Sequence, residues 1–94
     1  MAVGKIIYFS GPNCNVCDSL KPKVSELSKD AFPQFEWVEV ACDTDPEAAA
    51  KYSVFTVPVV VVEIEDKQYL RFVRNFSMLD FEEKTRRLYD MVCE

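Results

Sequence analysis

The run Lys5-Ile6-Ile7-Tyr8-Phe9-Ser10 is rich in β-branched and aromatic residues and stops at Gly11-Pro12-Asn13. After that break Val16, Leu20, Val24 and Leu27 recur at helical spacing. A strand that turns within a few residues into a helix makes a βα unit the start of the fold. Two cysteines occupy the junction as Cys14-Asn15-Val16-Cys17. The first falls at or just inside the helix N-terminus, where unpaired N–H groups and the positive end of the helix dipole stabilise an anion. Thiols so placed titrate at roughly 3.5–7.5 instead of about 8.5. A thiolate with a second thiol one turn away is suited to disulfide exchange.

The 94 residues, 49% of them hydrophobic, suffice for one core, and a single domain over 1–94 is expected. No repeat, low-complexity tract or linker divides them. No run reaches the length of a bilayer span, and Met1-Ala2-Val3-Gly4-Lys5 leads straight into the first strand without a leader pattern. A soluble, cytoplasmic monomer is the expectation. A formal charge of −5 with no basic run argues against nucleic acid or an anionic membrane as partner. The absence of histidine removes Ser-His and Cys-His nucleophilic catalysis and most zinc enzymes.

The four cysteines are Cys14, Cys17, Cys42 and Cys93. A lone CxxC beside a strand–helix pattern reads as a redox pair better than as part of a secreted disulfide framework. The alternatives are a static disulfide, two unreactive thiols, or a zinc site. Zinc would need four ligands, and Cys42 and Cys93 lack knuckle spacing, so no metal is expected. Cys42 is read as a small buried hydrophobe, and Cys93 as exposed at a fraying end.

Further along, the pattern predicts strand, helix, strand, helix, strand, strand, helix. The first strand covers Lys5–Ser10 and the first helix Cys14–Lys29, with Pro22 inside it and a kink expected near Asp18. A second strand, Glu36–Ala41, precedes Asp45-Pro46-Glu47, a strong helix start. The short helix Pro46–Tyr52 follows. The third strand, Val57–Ile64, is apolar on both faces, as a central strand is. Glu65-Asp66-Lys67-Gln68 turns into a fourth strand, Tyr69–Arg74, and Ser77 or Asp80 caps a last helix ending near Val92. Strand–helix–strand units imply parallel pairing and the hairpin adds antiparallel strands. The expected α/β fold is a four-stranded mixed sheet with helices on both faces.

On these residues the chain resembles the thioredoxin/glutaredoxin superfamily, in a short form lacking the N-terminal strand and helix. The resemblance rests on Cys14-x-x-Cys17 after the first strand, Pro22 five residues on, and Asp43-Thr44-Asp45-Pro46 and Lys51-Tyr52-Ser53-Val54 ahead of Val57-Pro58. It implies a cis bond at Val57-Pro58 facing the cysteine pair, with the Val57 backbone offered to an extended substrate. The chain departs from the thioredoxin pattern at several places. Asn13 replaces a tryptophan, Asn15-Val16 a Gly-Pro, Tyr8 a buried aspartate, Glu39 a lysine and Arg74 a glycine. Thr56-Val57-Pro58 is similar to glutaredoxins, without the glycine pair of a glutathione site.

The implied activity is that of a thiol–disulfide oxidoreductase, with Cys14 as nucleophile and Cys17 as shielded resolver. It would reduce protein or small-molecule disulfides and draw electrons from an upstream reductase or glutathione. No bound cofactor is expected, because the sulfurs carry the electrons. The rival readings are a non-catalytic binding module of the same fold and a glutathione-linked reductase. Glu39 is a candidate acceptor for the Cys17 proton, its pKa raised by partial burial and Tyr8 adding a hydrogen bond. The plainer reading is a surface-facing strand glutamate. Asn13, Val57, Pro58, Arg74 and Phe76 are the candidate substrate contacts. Arg74 reads alternatively as a solvated strand-end arginine, and Trp37 as core.

Overall fold

The computed structural model describes residues 3–74 and 76–93. Seven elements follow one another: β1 (Gly4–Ser10), α1 (Asn15–Ala31), β2 (Phe35–Ala41), α2 (Pro46–Lys51), β3 (Val59–Ile64), β4 (Lys67–Val73) and α3 (Met78–Val92). The strands lie in the order β2-β1-β3-β4. β2 runs parallel to β1, and each of the pairs β1–β3 and β3–β4 is antiparallel. The fold is the expected four-stranded mixed sheet. This topology brings the C-terminal ends of β2, β1 and β4 and the start of β3 to one end of the sheet.

Alternation along the two central strands divides the interior into two layers. Ile6, Tyr8, Val60 and Val62 pack with Val24 and Phe32 from the α1 side and Phe81 and Leu88 of α3. Ile7, Phe9, Val59 and Val61 face the other way, onto Ala49 of α2 and Val54. Helices therefore cover both faces, and full burial of β3 explains why it is apolar at every position but Glu63.

Each helix starts on a side chain that accepts an otherwise orphaned N–H. Cys14 serves α1. Asp45 accepts the N–H of Ala48 at 3.2 Å. Ser77, rather than Asp80, caps α3 by accepting the Asp80 N–H at 2.9 Å. α1 continues past Pro22 and beyond Lys29, to Ala31.

β3 begins at Val59, two residues later than expected, because the Val57–Pro58 bond is cis and Pro58 has no N–H for a ladder. β4 begins earlier than expected, at Lys67. Glu65 and Asp66 both adopt positive φ (49° and 67°), and two such residues close a hairpin by themselves.

Candidate redox site

Cys14 and Cys17 are joined as a disulfide, their Cα atoms 5.2 Å apart. Cys14 is the N-cap of α1, and its Sγ accepts the backbone N–H of Cys17 at 3.1 Å. It is half-buried at the surface, whereas Cys17 is 1% exposed. Under the pair lies Tyr8, fully buried, whose hydroxyl donates to the Cys17 carbonyl at 2.8 Å. Burial first, and then the carboxylates of Asp18 and Glu39, push the Tyr8 phenol up to about 12. Tyr8 is neutral at physiological pH and serves as a donor.

Glu39 requires a correction. Its strand position pairs with Tyr8, but Tyr8 fills the volume beneath Cys17 and the Glu39 side chain stays 49% exposed. The carboxylate accepts from the Trp37 indole N–H at 2.9 Å and pairs with Lys21 at 3.4 Å. The Trp37 hydrogen bond, with Lys21 and Lys29 assisting, outweighs partial burial and lowers its pKa. The expected raised value is thus reversed, and the Tyr8 hydroxyl is spent on Cys17. Trp37 itself is half-buried, stacked on Tyr8 with ring centroids 5.9 Å apart.

The second half of the site comes from the loop before β3. Gly11 packs against Val57: a Cβ on Gly11 would stand 3.3 Å from a Val57 methyl. That close approach seats the segment leading to Cys14 on the cis Val57–Pro58 loop. The Pro58 carbonyl accepts the N–H of Arg74 at 2.9 Å. Arg74 is exposed and holds φ at +42°, where an L-residue is strained and glycine is not. Asn13, also exposed, holds φ at +54°, which asparagine tolerates. Phe76 is half-buried against the first layer, its ring 5.4 Å from Phe72 and 6.1 Å from Phe81.

Beside Val57 a groove of about 310 Å³ is lined by Pro12, Cys42, Asp43 and Phe55. Phe55 is 91% exposed. Cys42 is half-buried at the edge of the second layer, its backbone N–H bonded to Ser10 at 2.8 Å. Burial, then Asp43 and Asp45, push its thiol pKa up. Cys93 is half-buried against the first layer, not free at a frayed end, and burial likewise raises its pKa.

One polar cluster has no counterpart among the sequence candidates. Glu63, 5% exposed within the apolar β3, accepts from the Tyr52 hydroxyl. Arg71 donates to the Tyr52 and Ser53 carbonyls, each at 2.7 Å. These contacts fasten the start of the loop that carries Val57–Pro58. A single carboxylate inside an apolar strand is the signal that points to such a partner.

The protein-family model described as Thioredoxin matches residues 3–83. The chain belongs to the thioredoxin family. It is 35% identical over 83 residues to the thioredoxin-like protein YdfQ of Bacillus subtilis, which spans 88% of this chain and 73% of the relative. The chloroplastic thioredoxin M4 of Arabidopsis thaliana is 30% identical over 57 residues, 61% of this chain and 30% of that protein. Among solved structures, thioredoxin 1 from Thermosipho africanus superposes with a TM-score of 0.85 at 28% identity, covering 96% of this chain and 99% of that one. Fasciola hepatica thioredoxin gives a TM-score of 0.77 at 34% identity, covering 88% and 79%. Family membership and the bonded Cys14–Cys17 pair support thiol–disulfide oxidoreductase activity in general terms.

Proposed function

We propose that the protein reduces disulfides in polypeptides or small molecules by dithiol–disulfide exchange. In the reduced form Cys14 thiolate attacks one sulfur of the substrate disulfide. The other substrate sulfur leaves as a thiolate, and a mixed disulfide remains on Cys14. Cys17 thiolate then attacks the Cys14 sulfur, expels the second substrate thiolate and closes the Cys14–Cys17 bond. Two electrons pass from the protein to the substrate, and no bound cofactor takes part. An upstream reductase or glutathione restores the dithiol.

The observation that carries this reading is the capping role of Cys14. The N–H of Cys17 that its sulfur accepts at 3.1 Å, together with the helix dipole, stabilises the thiolate in the reduced state. Burial of Cys17 reserves it for the second step. Glu39, held ionised by Trp37 and Lys21, is a poor proton acceptor for that step, and the expelled substrate thiolate is the base the reaction itself supplies. Val57, Pro58, Asn13 and Arg74 form the rim over which the substrate lies, its backbone pairing with that of Val57. In a reducing cytoplasm the reductase direction is favoured.

Insulin reduction with dithiothreitol as electron source tests the proposal. Wild-type protein should accelerate it and Cys14→Ser should abolish the acceleration, while Cys17→Ser should accumulate a protein–substrate mixed disulfide. Lack of turnover by the wild type would leave a binding module, and turnover that survives Cys14→Ser would overturn the role of Cys14.

A further inference from the structure

Four loops meet at the end of the sheet that carries Cys14, and their lateral order is that of the strands. Asp43 follows β2, Pro12 follows β1, Val57–Pro58 precedes β3 and Arg74 follows β4. Neighbouring strands are about 4.8 Å apart, so the outer two residues sit about 14 Å apart, the reach of about four extended residues. Asp43 and Arg74 are both exposed. The Asp43 end is negative: Asp43 and Asp45 are both exposed there, and both add to burial, the larger cause, in raising the pKa of Cys42. The other end carries the Arg74 cation, its backbone tied to Pro58. Between them lie the Val57–Pro58 loop and the residues after β1 that lead to Cys14, and a groove lined by Pro12, Phe55 and Val57 opens beside Asp43, its Phe55 ring 91% exposed.

We propose that this track is charge-polarised and selects an extended polypeptide of matching polarity. Its occupant carries a basic side chain toward Asp43, an apolar one in the groove lined by Pro12, Phe55 and Val57, and an acidic one toward Arg74. The inference rests on Cys14–Cys17 being the redox pair and adds a substrate class to that reading. Opposite charges at the two ends also fix the direction in which the segment lies, which apolar contact with Val57 alone does not.

Four synthetic peptides test it. Each carries one cysteine as a mixed disulfide with 2-nitro-5-thiobenzoate and one leucine beside it. The residues two places away on either side are Lys and Glu, Glu and Lys, Lys and Lys, or Glu and Glu. Release of the coloured thiolate by the reduced protein at low salt gives relative kcat/KM values. One Lys/Glu order should lead the reversed order by about fivefold, since each exposed charge contact changes the rate by roughly two- to fivefold. The lead should shrink toward unity near 1 M salt, where screening acts over about 3 Å. The double substitution Asp43→Lys with Arg74→Glu should invert the preferred order, and this ratio within one variant is independent of its overall rate. Equal rates for all four peptides in the wild type would overturn the polarity, as would a preference that survives the double substitution. A lead by the Lys/Lys peptide would trace to the net charge of −5 and overturn it too. In each of those cases peptide reduction persists and the redox reading stands; failure to reduce any peptide would remove both.

Discussion

The hydroxyl of Tyr8 donates to the backbone carbonyl of Cys17 across 2.8 Å of buried interior. A strand residue thereby holds the first turn of α1 from below, at the residue proposed to attack Cys14. Tyr8→Phe should keep the ring packing and lose this bond, costing about 1 kcal/mol in urea unfolding of the oxidised protein. The high phenol pKa adds a pH dependence. Tyr8 and Tyr52 are both pushed up from 10.0 to about 12, chiefly by burial, with Glu63 assisting at Tyr52. The folded state therefore holds these protons more tightly than the unfolded chain. That stabilisation is complete below pH 10 and fades as pH rises from 10 through 12. Phenolate absorbance and far-ultraviolet circular dichroism, followed together above pH 10, should show tyrosine ionisation coupled to unfolding.

Glu39 titrates in the opposite sense. Its folded pKa lies below the ordinary value because of Trp37 first and then Lys21, so its contribution is present above the unfolded pKa. It is lost as pH falls through the folded value. Trp37→Phe should raise the Glu39 pKa more than Lys21→Gln does, as read by carboxyl-carbon NMR. The pH profile of disulfide exchange should be unchanged in Glu39→Gln, since the carboxylate is ionised and tied aside throughout the working range.

The two glycines differ in what a methyl group would meet. At Gly4 a Cβ would run into the Glu63 carbonyl and the Ile64 side chain, whereas at Gly11 it would touch a Val57 methyl at 3.3 Å. Backbone cannot yield as a side chain can, so Gly4→Ala should cost about 1–3 kcal/mol and Gly11→Ala less than about 1 kcal/mol. Gly11→Ala should act instead on substrate capture by displacing Val57. Urea midpoints separate the first effect, and KM for a peptide disulfide the second.

Arg71 holds two carbonyls of the loop that leads to Val57–Pro58. Arg71→Ala should destabilise by about 1.5–3 kcal/mol and speed amide hydrogen exchange across 53–57. Arg71→Lys should recover part of the loss, because an ammonium reaches one carbonyl but lacks the fork that reaches both.

The order of elements along the chain and the placement of the cysteine pair could be read in advance because they rest on local chemistry. The β-branched and aromatic run Lys5–Ser10 and the Asp45-Pro46 start of α2 keep their meaning in the fold. Glu39 could not be read this way. Register alone puts it beside Tyr8, but the direction of its carboxylate depends on Trp37 and Lys21 capturing it and on Tyr8 occupying the space below Cys17. Phe76 was similarly ambiguous, since an aromatic residue ahead of a helix suits a groove or a core equally well. The Glu63–Tyr52–Arg71 cluster joins residues from three segments, and only the odd carboxylate in β3 hints at it. Phe55 and Asp43 gain significance from the side-by-side order of loops, which is a property of the sheet and not of any one segment.

The division of the interior into two layers separates the two halves of the site. The sulfur-bearing helix is anchored through Tyr8 to the layer shared with α3, and the cis-proline loop is anchored through Val54 and Val57 to the layer beneath α2. Substitutions beneath α2 should therefore shift the Val57–Pro58 loop while leaving the turn that bears Cys14 and Cys17 in place.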